Sequence, residues 1–115
     1  MDNRSDNTIK FDVNGYCNYC TDALSRMGKI YFPSKEGEKR LNSLVKRLKE
    51  ENKGRKYDCI MGISGGLDSS YLAYLGAVKW GLRILAVHVD DGYDTESTKR
   101  NIKRLGERAR IKIVT

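Results

Sequence analysis

The sequence predicts a mixed α/β fold built on a parallel sheet, and three observations predict it. Apolar runs at 58–63, 84–89 and 111–114 read as strands, with helical segments at 68–80 and 95–108 between them. Strand and helix therefore alternate as β-α-β-α-β, the order of a parallel sheet with right-handed crossovers. The second run, Ile84-Leu85-Ala86-Val87-His88-Val89, is apolar throughout except for one histidine, as a strand buried on both faces requires. A turn of glycines and hydroxyl residues, Ser64 to Ser70, joins the first strand to the first helix. Such sheets bind ligands there, outside the carboxyl ends of their strands. The expectation is a partial three-layer α/β/α arrangement preceded by a small cysteine-bearing arm.

The elements follow in order. Residues 1–32 are polar and punctuated by Asp, Asn and Gly, with Tyr16, Tyr19, Tyr31 and Phe32 around two cysteines. Ile9-Lys10-Phe11-Asp12-Val13 alternates as a short strand does, and Asn14-Gly15 reads as a tight turn. Pro33-Ser34 marks a break. Leu41, Leu44, Val45 and Leu48 recur at helical spacing, which predicts an amphipathic helix over 35–52, ended by Gly54. Residues 33–56 thus form a helix and a basic linker between the arm and the α/β segment at 57–115. In that segment Gly81 closes the first helix, and Asp94 or Thr95 caps the second. Ile102, Leu105 and Ala109 give the second helix one apolar face. The third strand comes at the end of the chain and presents an open parallel edge. This predicts that the chain is the N-terminal portion of a longer protein, or that it pairs with another copy of itself.

Composition narrows the class. The chain has 115 residues, a hydrophobic fraction of 39% and a charged fraction of 32%, which suits one small soluble domain or part of one. No apolar run approaches the roughly 20 residues that span a bilayer, and the N-terminus has no signal-peptide core. A cytoplasmic protein without a membrane partner is expected. The net charge is +7, and residues 35–56 hold nine Lys/Arg against four Glu, a local +5. That excess is either a solvated helix face or an attraction for phosphates, an acidic sugar, a partner protein or RNA. Three cysteines argue against a disulfide scaffold. Cys59 lies in the first strand as a core residue. Cys17 and Cys20 form a Cys-x-x-Cys, which is half a zinc knuckle, a redox pair or two inert thiols; a structural zinc site usually takes four ligands.

The turn after the first strand carries the most chemistry. Ser64-Gly65-Gly66-Leu67-Asp68-Ser69-Ser70 stands at a helix N-terminus, where free amides and the helix dipole favour an anion. Gly65 and Gly66 allow close backbone approach, and Ser64, Ser69 and Ser70 add hydroxyl donors. Asp68 would repel phosphate unless a cation, normally magnesium, offsets its charge. A Walker loop is excluded because no lysine lies between Lys56 and Lys79. Gly62-Ile63-Ser64-Gly65-Gly66 also matches the nucleophile elbow of esterases. Its histidine would have to be His88, which reads more simply as a core residue. Its acid would have to be Asp68, which belongs to the same turn as the nucleophile, so the triad is poor. An ordinary glycine turn with a serine cap accounts for Ser69 or Gly66 alone, not for the whole run.

The run resembles the pyrophosphate loop of the N-type ATP pyrophosphatases, Ser-Gly-Gly-x-Asp-Ser, whose domains have an adenine nucleotide alpha hydrolase-like fold. The stretch Ile9-Lys10-Phe11-Asp12-Val13-Asn14-Gly15-Tyr16-Cys17-Asn18-Tyr19-Cys20 resembles the start of the N-acetyl sugar amidotransferases of lipopolysaccharide and surface-polysaccharide biosynthesis. Tyr57 to Tyr71 and Val87-His88-Val89-Asp90-Asp91-Gly92-Tyr93, followed by Asn101-Ile102, are similar to that family too. Family members carry a further Cys-x-x-Cys upstream and a longer catalytic domain. The resemblance implies that ATP adenylates the amide oxygen of an N-acetyl sugar and releases pyrophosphate. Ammonia, delivered by glutaminase and channel-forming partners, then displaces AMP to leave an acetamidino sugar. Ser64, Gly65, Gly66, Leu67, Ser69 and Ser70 would hold the pyrophosphate. Ser64 and Asp68 would be the catalytic pair, with Asp68 orienting the loop or holding Mg2+. Val87, His88 and Val89 would meet adenine, Asp90 or Asp91 ribose or metal, and Cys17 and Cys20 zinc. Two other readings stand beside it: a tRNA-thiolating enzyme, for which the positive charge is suited, and an inactive fragment that only binds nucleotide.

Overall fold

The computed structural model describes residues 2–115. The chain divides into two compact units, Met1–Asn42 and Ser43–Thr115.

In the first unit, local side-chain bonds override strand propensity. Asp12 Oδ1 accepts from the amides of Asn14 and Tyr16, both at 2.9 Å, and Gly15 takes φ +82°. The chain therefore reverses at once, and the strand expected over 9–13 is reduced to a single antiparallel bridge between Phe11 and Cys17. A short carboxylate that binds nearby amides takes the donors a ladder would need. Tyr19 Oη donates to Asp6 Oδ2 at 2.8 Å and lies 2.7 Å from Thr8 Oγ1, which ties the N-terminal turn to the next element. That element, α1 (Asn18–Arg26), was not expected from the sequence. Its N-cap is Cys17, which is not among the usual capping residues.

Helix α2 (Lys35–Glu51) follows, within a residue of expectation. Its Val45 and Leu48 belong to the second unit and pack on that unit's core.

The second unit is a three-stranded, all-parallel sheet of β1 (Cys59–Gly62), β2 (Ile84–Val87) and β3 (Lys112–Val114), in the order β1-β2-β3. Cys59 pairs with Ile84 and Gly62 with Val87; Leu85 pairs with Lys112 and Val87 with Val114. β2 is central, and both of its faces are buried or half-buried. The sheet and its crossover helices bury Ile63, Ala73, Leu82, Ile84, Ala86, Ile102, Ala109 and Ile111. Mixed α/β with a small parallel sheet is thus the observed class.

The first crossover differs from expectation in one respect. α3 (Leu67–Tyr74) does not run on as α-helix but widens into a π-helical turn over Leu75–Lys79, closed by the Trp80 amide on the Leu75 carbonyl at 2.9 Å. Gly76, in that turn, is buried against β2; a Cβ there would stand 2.7 Å from Ile84 Cδ1. The second crossover is α4 (Glu96–Ala109), with Ile102 and Ala109 buried. Its cap is Thr95, whose Oγ1 accepts from the Thr98 amide at 3.2 Å.

At the amino ends of the strands, Asp58 is buried and Arg83 grips it. The Arg83 amide and Nε donate to Asp58 Oδ2 at 2.8 and 3.2 Å, and Nη2 donates to Oδ1 at 2.5 Å. The same guanidinium donates to the carbonyls of Arg55 and Asn52. These bonds staple the start of β1 to the start of β2. Among the described residues no helix is long and apolar enough to cross a membrane.

Candidate functional site

The carboxyl ends of β1 and β2 open into a cleft of about 420 Å³, lined among others by Ser64, Ser69, His88, Val89, Asp91 and Asp94. A larger cavity of about 620 Å³ lies at the other end of the strands, by Tyr57, Leu82 and Arg108. The smaller one is the candidate site, because only there do strand ends, a helix N-terminus and the glycine-serine turn converge.

The turn is short because β1 ends and α3 begins within four residues. The Ile63 amide still donates to the Val87 carbonyl at 2.9 Å, so the sheet holds the turn up to that residue. Gly65 then adopts φ +75° and is buried. A Cβ on it would stand 2.5 Å from Thr98 Cγ2 and 3.3 Å from Ile102 Cδ1. Gly65 is therefore fixed twice over, by its dihedral and by close contact with α4. Gly66 is the N-cap of α3 and offers no side chain to its amides. The amides of Leu67, Asp68 and Ser69 occupy the first turn, where helical geometry supplies no acceptor. Ser64 and Ser69 meet across the turn, their hydroxyls 3.2 Å apart, with the Ser64 amide 3.3 Å from Ser69 Oγ. Asp68 is exposed at the second position of α3. Ser70 Oγ is shut off from solvent and has no hydrogen-bond partner among the described residues.

The second loop is organised by His88. The ring is 6% exposed, and both of its nitrogens face acceptors: Nδ1 lies 3.0 Å from the Ile63 carbonyl and Nε2 2.6 Å from Asp94 Oδ2. A carbonyl only accepts, so Nδ1 carries a proton, while Nε2 shares one with the Asp94 carboxyl. The Ile63 carbonyl first, then Asp94 and, more weakly, Asp90 raise the His88 pKa against the cost of burial. The ring is thus a polar strut between the end of β1 and the loop before α4, in a setting that favours its charged form. With both nitrogens engaged it has no lone pair for Ser64, which removes the base an esterase triad needs. Asp94 was visible in the sequence only as a candidate cap. The signal for its role was a single polar side chain in an otherwise apolar strand, which must find a partner when buried.

The remaining candidates separate. The Val87 carbonyl and His88 amide are spent in the sheet, the latter on the Val114 carbonyl at 2.8 Å. Val89 is left exposed at the rim. Asp90 and Asp91 each hold a loop amide, those of Gly92 and Tyr93, at 3.0 Å. Asp91 lines the cleft together with Ser64 and Ser69.

The cysteines lie in the first unit. Cys17 Sγ and Cys20 Sγ are 3.4 Å apart, and the Cys20 amide donates to Cys17 Sγ at 3.4 Å. That amide, and then the Cys20 side chain, draw the Cys17 thiol below its ordinary pKa. Among the described residues no three potential ligands gather to hold a metal ion. Two thiols alone do not make the four-ligand zinc site implied by the resemblance. Cys59, half-buried on β1, has its pKa pushed up by burial.

The His88 strut has a measurable consequence. Its folded pKa is raised, so its stabilisation is complete below the ordinary imidazole value of about 6.5 and is lost as pH rises through the raised value. The melting temperature should therefore fall on going from slightly acid to alkaline pH. In His88→Asn that dependence should flatten; equal slopes in the two proteins would show that the strut is uncharged.

The chain matches no family model and no curated protein.

Proposed function

We propose that this chain supplies the pyrophosphate-gripping part of an ATP-dependent, cytoplasmic amidotransferase acting on an N-acetyl sugar, within a fold of the N-type ATP pyrophosphatase kind. One observation carries the proposal: the uncapped first turn of α3, reached through a tightly held Gly65, opens beside paired Ser64 and Ser69 hydroxyls at the carboxyl end of the sheet. Backbone amides aimed from a helix N-terminus suit the leaving phosphates of a nucleotide. Their fixed placement stabilises charge as it develops, without reorganisation when the bond breaks.

In this reading the amide oxygen of the sugar attacks the α-phosphorus of ATP. The α–β bridging oxygen leaves with the pyrophosphate, and the adenylated imidate awaits ammonia. An amide oxygen is a poor leaving group; as an AMP ester it becomes a good one. Ser64, Gly65, Gly66 and Ser69 hold the pyrophosphate. Asp68 and Asp91, on the two sides of the turn and loop, are the carboxylates available to a magnesium ion bound with it. Ser70 joins only after its hydroxyl turns outward from its closed position. The ammonia comes from glutaminase and channel partners.

The test is pyrophosphate release from ATP by the intact protein with magnesium, ammonia and a panel of acetamido sugars. Release should depend on the sugar, and Ser64→Ala and Asp68→Ala should each lower it by about 100-fold or more. Release unaffected by both changes would remove the proposed roles. Sugar-independent activity together with salt-sensitive tRNA binding would favour the tRNA-thiolating reading.

A further inference from the structure

We infer that Cys17 and Cys20 form a reversible thiol–disulfide site, a role independent of the nucleotide reading. The two sulfurs already lie 3.4 Å apart, at the start of α1. The Cys-x-x-Cys spacing places one cysteine at the N-cap and the other in the first helical turn, so closing the bond asks for side-chain rotation and not for a new backbone path. Both sulfurs are within reach of a partner, Cys20 exposed and Cys17 half-exposed. No third ligand stands by to divert them to a metal among the described residues. The asymmetry of the pair sets the order of events. The Cys20 amide and the helix N-terminus stabilise negative charge on Cys17, which makes Cys17 the attacking sulfur. Cys20 is the resolving one.

The co-reactant is a small disulfide such as glutathione disulfide. Cys17 thiolate attacks one of its sulfurs, forming the Cys17–glutathione bond and expelling one glutathione thiolate. Cys20 gives its proton to solvent and attacks the Cys17 sulfur, and the second glutathione thiolate leaves. Two electrons pass from the cysteine pair to the glutathione, which ends as two thiols; a dithiol reductant runs the exchange backward. Thiolates able to ligate a soft metal exist only in the reduced form, so oxidation and metal capture exclude each other.

The sequence makes the experiment direct. Trypsin releases Cys17 and Cys20 together on the peptide 11–26 and Cys59 on the separate peptide 57–79, because no Lys or Arg lies inside either. The full chain is incubated with glutathione disulfide, labelled with a maleimide and digested. Peptide 11–26 should come out unlabelled and lighter by two hydrogens, peptide 57–79 should stay labelled, and dithiothreitol should restore both labels on 11–26. In Cys20→Ser the reaction should stop with glutathione on Cys17, at about tenfold or more the amount found on Cys20 in Cys17→Ser. Circular dichroism of both variants checks that α1 persists. Full labelling of 11–26 in the wild-type chain, or a lasting glutathione adduct there, overturns the site. Equal adducts in the two variants overturn the attack order.

Discussion

Gly65→Ala is expected to destabilise the second unit and, under the proposed function, to abolish nucleotide-dependent activity at the same time. The new methyl carbon would stand 2.5 Å from Thr98 Cγ2 and 3.3 Å from Ile102, and the residue would have to hold φ +75°. Thr98, the neighbour that must move, is half-buried with its Oγ1 3.0 Å from Thr95 Oγ1, and Ile102, which must give slightly, is a buried core residue of α4. A left-handed dihedral on a residue with a Cβ costs about 1 kcal/mol, and overpacking adds about 1–3 kcal/mol. Chemical denaturation should therefore show a loss of about 2–4 kcal/mol. Should the turn escape by moving off α4, stability returns in part but the amides of α3 lose their aim, and pyrophosphate release still falls. Wild-type stability together with wild-type activity in this variant would mean that the turn is not held as described. Gly66→Ala is the useful contrast: its nearest neighbour is Ser64 Oγ at 3.3 Å, a side chain that can rotate, so it should cost far less stability.

The second large effect is expected at the opposite end of the sheet. Asp58→Ala removes the acceptor for the Arg83 amide, Nε and Nη2 in one step. The Arg83 amide, an obligatory donor at the edge of β2, then loses its partner. The guanidinium is half-exposed and recovers water, so the cost lies below that of a fully buried broken pair. About 2–3 kcal/mol is expected, with the cleft residues untouched. The pH profile should separate this pair from the His88 strut. Hydrogen bonds from the Arg83 side chain hold the Asp58 pKa below its ordinary value. Its stabilisation is complete above the ordinary carboxylate range and is lost as pH falls through the lowered value. Stability should fall more steeply toward acid in the wild type than in Asp58→Ala, while above neutrality the two curves should run parallel, offset by that cost. Parallel acid limbs would show that Asp58 is not ionised in the fold.

Some of this molecule is readable from its residues and some is not. The β-α-β-α-β order, the helix over 35–51 and the glycine-serine turn are local patterns: periodicity, breakers and spacing within a few residues. Cys17 as a cap and Asp12 as a turn-former are also local, yet their signals are weak, so α1 went unforeseen and the strand over 9–13 was expected in error. The π-helical turn after Tyr74 carries Gly76, which packs closely on Ile84, eight residues later and on another element, a contact that no local pattern announces.

What the residues decided alone was the class of fold and the glycine-serine turn between the first strand and its helix, because hydrophobic period and glycine placement act through the chain's own backbone. What the tertiary structure decided was which polar groups answer one another, His88 with Asp94 and the Ile63 carbonyl and Asp58 with Arg83, and how closely Gly65 packs on Thr98. Burial presses a polar group to find a partner, but which partner is a matter of sheet register and helix packing. Neither is written in the neighbourhood of the residue concerned.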